Sequence, residues 1–321
     1  VAANSARVLT LSAEADPELA RRVAEVPGVL ATFAAAAAAA GAAAAPSLQD
    51  MAGNSAGALG FIAQAGPELA RRVAEVPGAL ATLVTATAPG GAAATLSLQI
   101  RAAGSAMALA HIALAGPELA RRLAQVPGAL ATFVAAIAAG GAGATPNLHG
   151  AAANCAIALG VVAQSSPKLA RRVAEVPGAL AMLTAAMAAG GAVTDNSATA
   201  LAVIARAGPE LARRVAEVPG VQTTLVAATA VGAPAATSST SAVAAIAWVG
   251  PEFAWRVAEV PGALTTLAAA MAAGSAGAAP SLVDVAGNSA MVLTVIAQAD
   301  PELARRVAEL PGVLATLAAA M

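Results

Sequence analysis

Pro67-Glu68-Leu69-Ala70-Arg71-Arg72-Val73-Ala74-Glu75-Val76-Pro77-Gly78-Ala79-Leu80 recurs with small changes seven times along this chain, beginning at Pro17, Pro67, Pro117, Pro167, Pro209, Pro251 and Pro301. The intervals are 50, 50, 50, 42, 42 and 50 residues. A fixed period in this range is the signature of stacked supersecondary units, each of which buries its apolar side only against its neighbours. The chain is therefore expected to be one elongated repeat array over residues 1–321, not two or three compact domains.

Within one interval, Gly66 and Pro67 suit a helix start, because the missing proline N–H falls where no helical partner exists. Leu69, Val73 and Val76 lie at i, i+4 and i+7 and make one apolar stripe, with Glu68, Arg71, Arg72 and Glu75 opposite. Pro77 cannot continue a hydrogen-bonded helix, so the first helix is short. Pro77-Gly78 turns the chain into a second helix through Leu80, Leu83 and Val84, which Gly90-Gly91 should end. A third, longer helix covers Ser97 to Ala115, and its equivalent begins Pro46-Ser47-Leu48-Gln49-Asp50, where Ser47 and Asp50 have capping spacing. The two short intervals lack eight residues at this point, about two helical turns. Asp195-Asn196-Ser197 and Thr237-Ser238-Ser239 stand there as expected replacement caps.

This triplet of helices resembles the armadillo repeat. Residues 67–83 follow that family's approximate pattern Pro-Glu-x-x-x-x-Val-x-Glu-x-Gly-Ala-Leu-x-x-Leu-Val, and Asn54 to Ala63 follow its Ala-x-x-Ala-Leu-x-x-Ile-Ala run. The resemblance spans essentially the whole chain. It implies an all-α, right-handed α-α superhelix of about seven units, with three helices each. It also implies a scaffold with no enzymatic activity, a fold used for many partners. The peptide-binding members resemble one another in a Trp and an Asn four residues apart on the third helix. Here those places hold Arg7, Gly57, Met107, Ile157, Thr199, Ser241 and Met291, then Leu11, Phe61, His111, Val161, Val203, Ala245 and Val295. Recognition of an extended basic peptide is not implied.

Composition narrows the function classes. The hydrophobic share of 59% is largely Ala, and four Phe, two Trp and no Tyr leave each unit a thin core. A net charge of −1 lacks the footprint of a general nucleic-acid binder. Val126 to Pro167 carries no Asp, Glu, Lys or Arg. Its Pro and Gly residues nevertheless break it into pieces shorter than the roughly 20 apolar residues of a bilayer span, so no membrane partner is expected. The chain begins without Met inside one helix-like segment and ends at Met321 inside another, which reads as a window cut from a longer protein.

Three sets of residues could form sites. The Arg pairs Arg21-Arg22, Arg71-Arg72, Arg121-Arg122, Arg171-Arg172, Arg213-Arg214 and Arg305-Arg306 could track phosphates, with Trp255-Arg256 taking their place in the sixth unit. Their Glu neighbours at i, i+4 (Glu18 to Arg22, Arg21 to Glu25) favour a salt-bridged surface. Asn4, Asn54, Asn154, Asn196 and Asn288 recur at a constant offset before the third-helix apolar run. They suit an amide ladder between units or, alternatively, a groove contact; Asn196 should cap its helix. His111, His149 and Cys155 lack companions for a metal or nucleophilic site, so no metal, cofactor or catalysis is expected. The expected function is a protein-interaction scaffold. The alternatives are self-assembly into fibres or larger arrays, because the partner could be further copies of the chain, and anion or nucleic-acid binding through the Arg ladder.

Overall fold

The computed structural model describes residues 2–39, 44–88, 94–230, 233, 235–274 and 278–319; the Gly90-Gly91 stop lies outside them. Among the described residues there are 21 helices, numbered here α1–α21 in chain order, and no strand. First helices are α2 (Pro17–Glu25), α5 (Pro67–Glu75), α8 (Pro117–Gln125), α11 (Pro167–Glu175), α14 (Pro209–Ala216), α17 (Pro251–Glu259) and α20 (Pro301–Ala308). Second helices are α3 (Val29–Ala38), α6 (Ala79–Thr87), α9 (Ala129–Ala139), α12 (Ala179–Met187), α15 (Val221–Ala228), α18 (Ala263–Ala272) and α21 (Val313–Ala319). Third helices are α1 (Ala2–Ala15), α4 (Pro46–Gln64), α7 (Leu96–Leu114), α10 (Pro146–Gln164), α13 (Ala192–Arg206), α16 (Ala236–Ala247) and α19 (Pro280–Ala299). This is an all-α solenoid.

The Pro-Gly turn does the same work in every unit. Its glycine takes φ between +74° and +77° at Gly28, Gly78, Gly128, Gly178, Gly220, Gly262 and Gly312, a left-handed conformation that costs a side-chain-bearing residue about 1 kcal/mol or more. The chain thereby changes direction in three residues, and α8 and α9 meet at 92°. Leu69, Ala70, Val73 and Ala74 are the buried face of α5, while Val76 is only half-buried beyond its end.

The expected caps are corrected. Ser47 lies inside α4, whose N-cap is Ala45 with no side-chain bond. Asp50 instead accepts from the Ser97 hydroxyl of the next third helix. Asp195, Asn196 and Ser197 lie inside α13, which starts behind Gly191, and Thr237 to Ser239 lie inside α16, which starts behind Ala235. Asn196 does not cap its helix. The helices start three residues and one residue ahead of their polar clusters, because Ala is a good helix former and takes the first positions without a cap. Part of the extra length of the long intervals is helical: α4, α7 and α10 have 19 residues, against 15 in α13 and 12 in α16.

Two compact units divide the chain, residues 1–182 and 183–321. In the first, α1, α4, α7 and α10 pack in sequence, with α3 behind α4, α6 behind α7 and α9 behind α10. Small side chains let these third helices approach closely. A Cβ on Gly104 of α7 would lie 2.6 Å from the Gly57 backbone nitrogen of α4, and one on Gly60 would lie 2.3 Å from Met107 Cε. Gly104 occupies the place where most units carry Asn, because here two backbones touch. The same helices bury Ser55, Ser105 and Cys155 at equivalent places, and the helices of the second unit bury Ser197, Ser239 and Ser289 at theirs. The five serine hydroxyls are buried without a hydrogen-bond partner. Cys155 shows that the position selects size, not polarity.

In the second unit α13, α16 and α19 pack in sequence, with α15 and α18 behind them. Among the described residues α19 is the one single helix long and apolar enough to cross a membrane; it packs against α16, α17, α18 and α20.

These contacts set apart three substitutions in urea denaturation. Gly104→Ala should destabilise by about 1–3 kcal/mol through backbone overlap. Gly150→Ala, on α10 with nothing within 4 Å of the added Cβ, should stabilise by about 0.5–1 kcal/mol. Ser105→Ala should be neutral or stabilising, since an apolar group of the same shape removes an unpaired donor. Stabilisation by Gly104→Ala would refute the close approach.

Candidate functional site: a groove on the third helices

The two arginines of each pair have separate tasks. The first lies along its own exposed helix surface: Arg21 meets Glu18 at 2.7 Å, Arg71 meets Glu68 at 3.0 Å and Arg121 meets Glu118 at 3.2 Å. These are i, i+3 pairs and not the i, i+4 pairs expected for Arg21 and Glu25, whereas Arg305 does reach Glu309 at i+4, at 3.8 Å. The second arginine leaves its unit. Nη2 of Arg72, Arg122, Arg172 and Arg306 donates to the carbonyls of Ala24, Ala74, Ala124 and Ala258, at 2.8, 3.1, 3.0 and 3.2 Å. Each acceptor ends the preceding first helix, where carbonyls have no helical partner and the dipole favours a cation. No pattern of residue types announces this clamp, because its acceptor is main chain 48 residues away.

The sixth unit breaks the pattern. Arg256 lies 5.4 Å from the centroid of the Phe253 ring, and the half-buried Trp255 stands where the first arginine would be. Arg171 and its neighbour Lys168 are exposed on α11, with Lys168 in the place held by Glu in the other units.

Polar contacts between long third helices run through residues not singled out from sequence. Gln49 and Gln99 are buried; their Oε1 atoms accept from Thr95 and Thr145 of the following unit, both at 2.7 Å. Of the recurrent asparagines, Asn4 is exposed and Asn54, Asn154 and Asn196 are half-buried. The backbone carbonyl of Asn54 accepts from Thr10, and Asn288 Nδ2 reaches Thr240 Oγ1 at 3.5 Å.

The groove lies in the second unit, across α13, α16 and α19, with a volume of about 810 Å³. Its floor is formed by Thr199, Val203, Ser241, Ala245 and Met291. These are the places where peptide-binding armadillo units have Trp and Asn, here occupied by small or flexible side chains that leave space. In the first unit one of the equivalent places, Met107, is in contact with the neighbouring helix at Gly60. Trp248 at the end of α16 borders the groove with 62% of its surface exposed, and Asn288 is the one recurrent asparagine that lines it. Arg206 and Asp284 add one charge of each sign, and neither has an ion-pair partner among the described residues. The Arg pairs of the first helices and Trp255 do not line it. Sequence reasoning missed Trp248, Arg206 and Asp284; the small residues at the Trp and Asn places were the available signal.

No group of three or more metal-ligating side chains occurs among the described residues. Cys155 is fully buried, and that burial pushes its thiol far above the ordinary range, the reverse of an activated nucleophile. Burial also lowers the His111 pKa, favouring the neutral ring. His149 Nδ1 lies 3.2 Å from the Gly140 carbonyl.

Comparison with solved structures gives the fold a name. The chain is similar to a designed armadillo repeat protein, at 22% identity and a TM-score of 0.65, covering 83% of this chain and 99% of that one. A designed armadillo repeat protein in complex with peptide (KR)4 is similar at 21% identity and a TM-score of 0.62, over 85% and 99%. An engineered protein is similar at 16% identity and a TM-score of 0.62, over 96% and 77%. No family model and no curated protein matches the sequence. The fold is armadillo-like.

The two arginines of a pair should separate in a stability measurement. Arg122→Met removes a charged donor from a carbonyl and should cost about 1.5–3 kcal/mol. Arg121→Met removes an exposed ion pair and should stay within about 0.5 kcal/mol. Equal effects on the urea midpoint would show that the clamp is not distinct.

Proposed function

We propose that this chain is a non-enzymatic scaffold, a tandem array of seven armadillo-like units, which docks a partner protein in the groove of its second unit. The observation that carries this reading is an open, largely apolar groove of about 810 Å³ bordered by an exposed Trp248. Exposed tryptophans beside apolar concavities are the common anchors of protein interfaces. Similarity to designed armadillo proteins, one of them in complex with a peptide, supports the same class of function.

The floor also suggests the form of the ligand. An extended peptide brings unpaired amides, which need a row of side-chain partners. Here Val203, Ala245 and Met291 offer none, and the Thr199 hydroxyl is already engaged with that of Ser238 at 2.8 Å. A helix satisfies its own backbone and needs only an apolar face, so the groove suits an amphipathic helix. Arg206 and Asp284 would then select its register by taking one acid and one base.

The test is panning of this chain against displayed random peptides, followed by binding of the enriched peptides in solution. Enrichment should favour sequences with apolar residues at i, i+3, i+4 and i+7. Trp248→Ala should weaken their binding at least about tenfold, the scale of an interface anchor, while leaving the circular dichroism unchanged. No enrichment, or undiminished binding to Trp248→Ala, would remove this groove as the docking site.

A further inference from the structure

We propose that the crevice between the Pro219-Gly220 turn and the end of α17 takes the guanidinium of an arginine side chain from a partner protein. The crevice has a volume of about 420 Å³, and Ala216, Glu217, Gln222, Arg256 and Glu259 are among the residues that line it. None of its residues belongs to a third helix or lines the groove, so this site stands apart from the docking proposed above.

Elsewhere the chain supplies this guanidinium itself. Arg72, Arg122, Arg172 and Arg306 each place it on a carbonyl at the end of the preceding first helix. Arg256 holds the same position in the sixth unit, yet its guanidinium lies over the Phe253 ring, 5.4 Å from the centroid. It makes no hydrogen bond or ion pair among the described residues. The diversion has a cause in the sequence. Leu69, Leu119, Leu169, Leu211 and Leu303 are buried where Phe253 stands, and none of them offers an aromatic face to a cation. The Ala216 carbonyl at the end of α14 therefore accepts from none of the described residues. The next crevice along, between α17 and α20, is built from equivalent residues, but there Arg306 is bonded to the Ala258 carbonyl.

Charge selects the ligand. Glu217 and Glu259 bring two negative charges against the single positive charge of Arg256. The end of α14 adds the negative pole of the helix dipole. An anion would meet net repulsion here, and a cation net attraction. A guanidinium fits better than an ammonium, because its planar fork can bond a carbonyl and a carboxylate together. A second departure from the repeat points to the same crevice. Gln222 stands where Leu30, Leu80, Leu130, Leu180 and Leu264 are buried, and its Nε2 is buried without a hydrogen-bond partner among the described residues. A buried donor is costly to leave unmade, and the main-chain carbonyl of an arginine-bearing peptide would satisfy it.

Titration of this chain with N-acetyl-arginine amide, followed by NMR on the Gln222 side-chain amide, tests the proposal. Gln222→Leu identifies that resonance by its loss. The resonance should shift saturably. N-acetyl-citrulline amide, similar in shape but uncharged, should bind at least about tenfold more weakly, the scale of one charged hydrogen bond. Phe253→Leu should return Arg256 to the Ala216 carbonyl and abolish the shift. Arg256→Met should strengthen binding, since it removes both the internal competitor and a like charge. Trp248→Ala should leave it unchanged, which separates this site from the groove. An unmodified chain that shows no saturable shift would overturn the proposal. So would equal binding of the citrulline derivative, or a Phe253→Leu variant that binds as the unmodified chain does.

Discussion

The distance at which successive third helices can approach one another controls most of this structure. A chain this rich in alanine cannot fill wide spaces between helices, because each buried methyl contributes little apolar area. Close approach compensates, since dispersion depends on the number of atoms in contact and falls off steeply with any gap. In the first unit Gly53, Gly60 and Gly104 remove the side chains that would hold α4 and α7 apart, and Met107 packs over Gly60. The buried serines obey the same rule of size, accepting unpaired hydroxyls at positions where a larger side chain would separate the helices.

The second unit uses equally small residues with a different result. Its third helices α13 and α16 are shorter and carry Thr199, Val203, Ser241 and Ala245 where the first unit interlocks glycine with methionine. Small side chains without backbone contact leave open volume, which is the groove. One compositional feature thus produces a sealed surface in one unit and an open one in the other. What differs is whether glycine lets the backbones meet. The polar groups follow this division: Gln49–Thr95 and Gln99–Thr145 tie the long helices together, whereas Arg206 and Asp284 stay available beside the open floor.

Much of this was legible in the sequence. The repeat period, the proline-started first helices, the Pro-Gly turns and the long third helices all follow from local rules, because proline and glycine act within a few residues of where they stand. Polar caps were misread, since Ser47, Asp195 and Thr237 sit in alanine-rich text that is helical without them. The function of the second arginine was invisible for a different reason. A side chain bonded to main chain 48 residues away leaves no pattern in residue type, only the recurrence of Arg itself, which local Glu neighbours already explained. The groove was half visible. The residues on its floor were identified as places where a Trp and Asn ladder is missing, but missing bulk became a site only once the helix spacing was known.

Contacts between neighbouring repeats are made by columns of equivalent residues, such as Ala58, Ala108, Ala158, Ala200, Ala242 and Val292, all fully buried. The groove residues have no buried counterpart to imitate: Trp248 aligns with no other tryptophan, and Arg206 and Asp284 do not recur as a pair along the array. A surface that departs from the repeat is not matched by the repeat, so a second copy of this chain is a poor occupant for it. The repeating residues therefore govern how units meet units, and the departures from the repeat govern recognition of something else.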